Sequence, residues 1–468
     1  MLFSSMTFLF VFMPLVMAVY FLSKKEIRNY VLLIASIIFY AWGEPRYLAI
    51  MIITILVNYT GAILLDKHYS SRQRLWIVSL TIVLDLSFLF YFKYFNFVVD
   101  NINGVLATDF QLLDIIMPIG ISFYTFQAMS YLIDVYRREV PAQKDVYKLA
   151  LYIVLFPQLV AGPIVKYHDV CEQIDNRTIE FKNVIIGFKR FITGLAKKVL
   201  IANTLAEVVD KIFAQAPENL TTGVSWLGAV AYCLQLYYDF SGYSDMAIGL
   251  GLMFGFRFLE NFNYPYISKS ITEFWRRWHI SLATWFKLYL YIPLGGNRKG
   301  AVRTYWNLFA VFLVTGIWHG AAWSYVAWGI WNGIFIVIER FFGLDKDKND
   351  RWYVSAAKHV YAFFAIVWGM IIFRAESLSY AYEYICRMLH IDVTKHLPDY
   401  DYGVNNKFAI MLIVGLICAM PVCRNLIYIK YEHKVQRTLV NIWLFLLFFW
   451  STISLAASTY NPFIYFRF

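Results

Sequence analysis

The sequence predicts an all-α integral membrane protein that crosses the bilayer many times. Of its 468 residues, 60% are hydrophobic and only 16% are charged, and the mean hydropathy is +0.54. A soluble domain is usually about half apolar and about a quarter charged. The apolar residues form long runs, such as 48–65, 75–92 and 443–457, and roughly 20 apolar residues span a bilayer as a helix. No alternating pattern of barrel strands is visible, so helices are expected to satisfy the backbone in lipid.

The chain length predicts a single membrane domain, residues 1–468, with about 11–13 membrane helices that include short or re-entrant segments. We divide it into N-terminal helices (1–150), a catalytic core (151–340) and C-terminal helices (341–468). The first apolar run has no basic residue before it and no small-residue cleavage site after it. It is therefore expected to remain as the first helix rather than to be removed as a signal peptide.

Three further segments have recognisable local patterns. Residues 29–42 predict a short second helix. The apolar stretch Pro157–Pro163 holds two prolines and a glycine, which would break a spanning helix, so its backbone is expected to be enclosed by protein. The mixed, basic stretch 172–198 predicts an amphipathic helix in the cytoplasm or at the membrane interface.

The net charge of +11 reflects membrane topology rather than nucleic-acid binding, because the cations cluster in connections between apolar runs. Strongly basic connections, such as those with Lys24 and Lys25 or with Arg137 and Arg138, alternate with weakly basic ones. The positive-inside rule then places the first, third and fifth connections in the cytoplasm and the N-terminus outside. The expected partner is a lipid bilayer, and no nucleic acid is expected.

Two histidines, His279 and His319, lie in the part of the chain richest in tryptophan. Eight of the 15 tryptophans fall between Trp275 and Trp331. An imidazole in apolar membrane sequence costs free energy unless it is paired or used, whereas a neutral imidazole can accept a proton from a hydroxyl group. These two residues are therefore the catalytic candidates. The remaining histidines lie in or beside polar segments: His68, His168, His359, His390, His396 and His433.

The surroundings of His319 favour a catalytic role over a purely structural one. Trp318, which precedes it, is a candidate for substrate binding, and the small neighbours of His319 are Gly316, Gly320, Ala321 and Ala322. We expect these small residues to leave room around the imidazole ring. The alternative is a structural histidine hydrogen-bonded between helices.

Three groups of residues are candidates for substrate binding. In the stretch 237–245, Asp239, Ser241 and Asp245 either cap the start of a helix or line a polar constriction. Beside His279, the side chains of Trp275, Arg276, Arg277 and Trp278 either lie at the interface or bind an anionic substrate. The glycine-rich, basic turn 291–300 includes Asn297 and Arg298, whose surroundings could hold phosphate.

Familiar hydrolase and metal motifs are missing from the sequence. It contains no HExxH, no paired metal-ligand spacing and no Gly-x-Ser-x-Gly elbow. Hydrolase and metalloprotease functions are therefore disfavoured, and no metal site is expected.

Taken together, these motifs resemble the membrane-bound O-acyltransferase (MBOAT) family, in the bacterial branch that O-acetylates alginate and cell-wall polysaccharides. The resemblance covers nearly the whole chain. The segments on which it rests are Pro118–Gln127, Phe156–Pro163, Tyr238–Asp245, Phe274–His279, Trp318–Gly320 and the ending Tyr460–Phe468.

The resemblance implies a helical bundle with a central tunnel, in a bacterial cytoplasmic (inner) membrane. It implies that His279 and His319 are the two family histidines and that His319 is the catalytic base. An acyl thioester, here acetyl-CoA, would enter from the cytoplasm, with Arg276, Arg277, Arg298 or Lys299 near its phosphates. No tightly bound cofactor is implied. An exported or membrane-tethered acetyltransferase partner would complete delivery to an extracytoplasmic polysaccharide.

Three alternatives stay open at this stage. Within the family, the chain could transfer D-alanine from a carrier-protein thioester to teichoic acid. A polysaccharide or lipid transporter would need functional membrane charges, for which Asp85 and Asp134 are candidates, but no internal repeat supports it. The chain could also be a non-catalytic scaffold that recruits an exported enzyme.

Overall fold

The fold is all-α, as the sequence predicts. The computed structural model describes residues 1–67, 70–344, 350–390, 400–423, 434–458 and 460–462, and within these ranges it contains helices but no strand. His68, His396, His433 and the end of the family-like C-terminal segment, 463–468, lie outside the described residues. The chain is a multi-pass helical membrane protein.

The described helices belong to two compact units. The first comprises Met1–Phe191 and Ser244–Leu259. Its helices are α1 (Met13–Leu22), α2 (Arg28–Gly43), α3 (Leu48–Lys67), α4 (Ser71–Leu89), α5 (Phe95–Leu106), α6 (Ile121–Arg137), α7 (Val146–Val154), α8 (Phe156–Leu159), α9 (Tyr167–Asn176) and α10 (Phe181–Ala196, whose last residues count with the second unit). The predicted short second helix, 29–42, is confirmed by α2.

The second unit comprises Ile192–Tyr243 and Glu260–Phe468. Both candidate histidines lie in this unit. Its helices are α11 (Asn203–Phe213), α12 (Thr222–Met253, whose last residues count with the first unit), α13 (Ile271–Arg277), α14 (Ile280–Phe286), α15 (Ala301–His319), α16 (Trp323–Phe342), α17 (Trp352–Arg374), α18 (Leu378–Leu389), α19 (Asn406–Cys418) and α20 (Lys434–Ala457). Short π-helical segments, such as Lys197–Ala202, extend several of them.

Four helices in the described part of the chain are long and apolar enough to cross a membrane. They are Pro45–Lys67, Ser71–Leu106, Trp352–Arg374 and Val435–Ala457, and shorter apolar helices cover Phe8–Leu22 and Asn406–Cys418. The sequence-based count of about 11–13 includes short and re-entrant pieces, and it stays a prediction.

The segment around Pro157 breaks as the sequence predicts. Helix α7 ends at Val154, and α8 is only four residues long. All side chains from Leu151 to Val165 are buried. The irregular backbone of this segment is therefore surrounded by protein. Non-helical backbone is tolerated at membrane depth only in such surroundings or beside a water-filled cavity.

The basic stretch 172–198 differs from the prediction of one amphipathic helix, because it forms parts of α9 and α10 with a break at Arg177. The guanidinium group of Arg177 turns inward and donates hydrogen bonds to Tyr20 Oη (3.0 Å), the carbonyl of Phe254 (3.1 Å) and Asn29 Oδ1 (2.6 Å). Arg177 makes these contacts from the position that follows the last residue of α9.

Candidate active site

His319 is the last residue of α15 and is almost fully buried, at 7% exposed. Three aromatic rings surround its imidazole. The ring centroids of Trp318, Trp328 and Phe373 lie 5.0, 5.1 and 5.2 Å away, and the last two rings are perpendicular to the imidazole within a few degrees. Edge-to-face contacts of this kind are favourable, and they restrict the rotation of the ring about its side-chain bonds.

The glycines beside His319 serve helix packing, which corrects the expectation that they leave room around the ring. A Cβ atom on Gly320 would lie 2.1 Å from Cε2 of Tyr325, and one on Gly316 would lie 2.4 Å from the carbonyl oxygen of Tyr325. The same Cβ on Gly316 would lie 2.9 Å from the α-carbon of Gly329. The space next to these glycines is therefore filled by α16, which approaches α15 closely because the side chains are absent.

His279 lies at the junction of α13 and α14, in a left-handed backbone conformation with φ of +45°. Such a conformation costs on the order of 1–3 kcal/mol for a residue other than glycine. Backbone hydrogen bonds hold the residues on both sides of it. The amide of Ile280 donates to the carbonyl of Asn261 at 2.9 Å, and the amide of Trp278 donates to the carbonyl of Phe274 at 2.8 Å. Strained residues that are held in this way are common at active sites.

The side chain of Asn261 indicates which nitrogen of the neutral His279 ring carries the proton. Its Oδ1 lies 3.2 Å from Nδ1 of His279, and it accepts from both the amide (3.2 Å) and the hydroxyl (2.9 Å) of Ser281. An atom that receives two donors is the carbonyl oxygen of the amide, which can only accept. Nδ1 of His279 must then carry the proton. The neutral ring therefore keeps its lone pair on Nε2, where it can accept a proton or a hydrogen bond.

A continuous series of aromatic contacts joins the two histidines. Trp328 touches His319 and also Trp275, at centroid distances of 5.1 and 5.5 Å. The ring of Phe240 stands perpendicular to His279, 4.5 Å away. Between Trp275 and Phe240 the contacts run through Phe274, Trp278 and Phe262. Trp275 and Trp278, which the sequence suggests for substrate binding, thus lie in the buried packing between the histidines.

The basic residues near His279 have different surroundings. Arg277 forms an ion pair with Glu273, with Nη2 and Oε1 2.8 Å apart, and its Nη1 donates to the carbonyl of Asn263. Arg276 is exposed, and Asn297 and Arg298 lie in an exposed turn after α14. Of these residues, Arg277 is therefore engaged within the protein, whereas the other three present their polar groups at the surface.

The acidic residues of the 237–245 stretch lie within α12, not in a loop or at a helix start. The interpretation as a helix start is therefore wrong, whereas the alternative, a polar constriction, stays a prediction. Buried cations neutralise both carboxylates inside the helix. Asp239 pairs with Lys198 (Nζ to Oδ1 2.5 Å), and both side chains are 3% exposed or less. Asp245, in the first unit, pairs with Arg190 (Nη2 to Oδ1 2.8 Å). Ser241 is buried on the same helix.

Sequence reasoning missed several residues that bind the predicted site residues or the helix before His279: Asn261, Ser281, Lys198, Arg190 and Glu339. A usable signal existed only for Lys198, a cation directly before the apolar run Val199–Ala202. The others are ordinary polar residues until the fold brings them to their partners. Among the described residues, no group of three or more His, Cys, Asp or Glu side chains is arranged to hold a metal ion.

Comparison with known proteins identifies the family. The model of the membrane-bound O-acyltransferase family matches residues 37–377, which include both histidines and their partners. The chain belongs to the membrane-bound O-acyltransferase family. It is an O-acyltransferase, as the motifs predicted.

Curated relatives of this family member include polymer-modifying enzymes. A probable alginate O-acetylase of Pseudomonas putida is 42% identical over the whole of both chains. A probable alginate O-acetylase of Pseudomonas aeruginosa is 48% identical over 82% of this chain and 74% of its own. The peptidoglycan O-acetyltransferase of Helicobacter pylori is 32% identical over 93% of this chain and 89% of its own. The teichoic acid D-alanyltransferase of Bacillus subtilis is 28% identical over 56% of this chain.

Proposed function

We propose that this MBOAT protein transfers acetyl groups from cytoplasmic acetyl-CoA for the O-acetylation of an extracytoplasmic polysaccharide. The observation that carries the proposal is the pair of buried histidines in one aromatic network, with the tautomer of His279 set by Asn261. The proposal places the chain in a bacterial cytoplasmic membrane. A tunnel would bring the thioester and the hydroxyl acceptor together, and an exported or membrane-tethered acetyltransferase would complete delivery to the polymer.

In this mechanism His319 is the general base. As the hydroxyl oxygen of the acceptor attacks the thioester carbonyl, the imidazole takes the hydroxyl proton. The new C–O bond forms and the C–S bond breaks, and the proton passes from the imidazolium to the thiolate of coenzyme A. The three rings around His319 hold the imidazole in one orientation for both transfers, which lowers the entropic cost of reaching the reactive geometry.

His279 has the complementary role of orienting the acceptor. With its proton on Nδ1, its Nε2 can accept a hydrogen bond from a hydroxyl group, whereas a neutral ring in this state has no Nε2–H to offer an oxyanion. The geometry thus supports acceptor orientation over stabilisation of developing negative charge. The side chains of Arg276 and Arg298 are exposed and are the proposed contacts for the phosphates of coenzyme A, as guanidinium groups bind phosphate well.

The polysaccharide acceptor and the acetyl group are supported by the relatives. The alginate O-acetylases and the peptidoglycan O-acetyltransferase match 81–100% of this chain at 32–48% identity. The teichoic acid D-alanyltransferases match only 50–56% of it, at 28–30% identity. Transfer of D-alanine from a carrier-protein thioester is therefore the second candidate.

The test uses purified full-length protein in proteoliposomes with radiolabelled acetyl-CoA, membranes of the source organism and the products of the neighbouring genes. Wild-type protein should label a polysaccharide, and His319→Ala should reduce transfer by roughly 100-fold or more while donor binding is retained. His359→Ala, which alters an exposed histidine on α17, is the matched control and should be fully active.

Two outcomes would contradict the proposal. Undiminished turnover by His319→Ala would remove this residue from the mechanism. Labelling from D-alanyl carrier protein, with none from acetyl-CoA, would establish the second candidate instead.

A further inference from the structure

Glu339 is a buried carboxylate that lies outside the histidine motifs. It is 0% exposed, near the C-terminal end of α16. One carboxylate oxygen accepts from the amide of Ile271 at 2.5 Å and the other from the amide of Thr272 at 2.8 Å. Tyr361 Oη donates a further hydrogen bond at 3.1 Å. A buried carboxylate is costly unless it is satisfied in this way.

The two amides that Glu339 binds begin α13, the helix that leads directly to His279. The first N–H groups of a helix have no partner within the helix, and a negative charge at this end is favourable. Ser270 Oγ accepts from the next amide, that of Glu273, at 3.0 Å. Glu339 and Ser270 together satisfy the first turn of α13, and the carboxylate joins that turn to α16.

A second residue of α16 holds the same helix closer to the histidine. Asn332 Oδ1 accepts from Nε1 of Trp275 at 3.0 Å, while its Nδ2 donates to the carbonyl of Trp328 at 2.8 Å. The amide is thus oriented by its own helix and binds the middle of α13. Both Asn332 and the Trp275 ring are buried.

Trp328, Asn332 and Glu339 share one face of α16. At 100° per residue they fall within about 40° of one another around the helix axis. Trp328 packs edge-on against the ring of His319, 5.1 Å away. One face of a single helix therefore contacts His319 through Trp328 and holds the segment before His279 through Asn332 and Glu339.

We propose that Asn332 and Glu339 are positioning residues for acyl transfer, which set the His279 segment relative to His319 through this face of α16. The inference rests on the proposed function, since it assigns both histidines to one reaction. Neither residue need touch the substrate. Their effect is on geometry, and a misplacement of about 1 Å in a catalytic group can cost roughly 100-fold in rate.

Kinetics of acetyl transfer from acetyl-CoA test this assignment with four variants. Glu339→Ala should lower kcat by roughly 10–100-fold and Asn332→Ala by about 10-fold, with the KM for the donor within about twofold of wild type. Glu339→Gln keeps one of the two acceptor oxygens, so its kcat should lie between those of Glu339→Ala and wild type. Ile334→Ala, on the exposed, opposite face of α16, is the matched control and should match wild type.

A second measurement does not depend on activity. Diethyl pyrocarbonate modifies accessible imidazoles, and mass spectrometry gives the rate at His279 relative to the exposed His168. The ratio should be low in wild type and in Ile334→Ala, and several-fold higher in Glu339→Ala and Asn332→Ala.

Wild-type kcat together with an unchanged modification ratio in Asn332→Ala and Glu339→Ala would overturn the assignment. If Glu339→Ala does not fold, the kcat and the modification ratio of Asn332→Ala alone test the assignment. A wild-type protein inactive with acetyl-CoA would refute the proposed donor, whereas the modification ratio would still show whether α16 holds the His279 segment in place.

Discussion

Asn261 Oδ1 lies 3.2 Å from Nδ1 of His279 while it also accepts two hydrogen bonds from Ser281. These contacts favour the tautomer of His279 that carries its proton on Nδ1 and has the lone pair on Nε2. A residue 18 positions earlier in the chain thus decides which nitrogen of the imidazole carries the lone pair.

Substitution of Asn261 should impair catalysis more than folding. Asn261→Ala removes the acceptor that selects the Nδ1–H tautomer, so kcat should fall roughly 10–100-fold. Acetyl-transfer kinetics measure the effect. Asn263→Ala, two residues away with an exposed side chain, is the control and should retain wild-type kcat. Equal activities of the two variants would show that the tautomer is set by another group.

The ion pair of Lys198 and Asp239 should behave as a unit. Removing only the cation leaves a buried carboxylate, so Lys198→Ala should destabilise the protein by about 3–5 kcal/mol. The double variant Lys198→Leu with Asp239→Leu should lose clearly less, because neither charge remains. The free energies of unfolding of both variants are measured in detergent. Lys211→Ala, at an exposed position on α11, is the control and should change this free energy by about 0.5 kcal/mol or less. A double variant less stable than the single one would contradict this account.

Gly316 should not tolerate even a methyl group. Its Cβ would meet the carbonyl oxygen of Tyr325 at 2.4 Å, and backbone cannot turn aside as a side chain can. Gly316→Ala should therefore destabilise the protein by roughly 1–3 kcal/mol, as measured by thermal unfolding in detergent. Gly223→Ala in α12, where a Cβ meets nothing within 4 Å, should be neutral or slightly stabilising. Equal melting temperatures for the two variants would show that α15 and α16 can separate at little cost.

The segment 460–462 is tied to the second unit at three points. Tyr460 Oη donates to Asp210 at 2.6 Å, Asn203 Nδ2 donates to Asn461 Oδ1 at 3.1 Å, and the ammonium group of Lys198 donates to the carbonyl of Pro462. Tyr460→Phe removes the first of these and should lower stability by about 1 kcal/mol, measured by thermal unfolding. Tyr400→Phe, at an exposed tyrosine, should have no effect. An unchanged melting temperature for Tyr460→Phe would mean that this hydrogen bond adds nothing to stability.

Sequence reasoning was most successful where the signal is local. Long apolar runs predict helices because lipid leaves no other partner for the backbone. The prolines at 157 and 163 predict that this stretch is not one continuous helix, and the structure has only the four-residue α8 there. The motifs around His279 and His319 predicted the family, which the match to residues 37–377 confirms.

Reasoning failed where a residue's role depends on a distant partner. One interpretation of the stretch 237–245 was a helix start whose Ser and Asp side chains cap free amides, but these residues lie within α12. Lys198 and Arg190 supply the compensating charges from 41 and 55 residues away. Likewise, the positions of Gly316 and Gly320 require glycine because Tyr325 and Gly329 pack against them. From the sequence, these glycines are instead expected to leave space around the His319 ring.

The sequence by itself determined the class of protein, its residence in a lipid bilayer and the two histidines that are candidates for catalysis, since these follow from composition and short motifs. Only the tertiary structure decided which nitrogen of His279 keeps its lone pair, which cations neutralise Asp239 and Asp245, and which helix joins the two histidine segments. The physical reason is that hydrogen bonds and ion pairs act over about 3 Å in space, and a sequence does not specify which distant residues come that close.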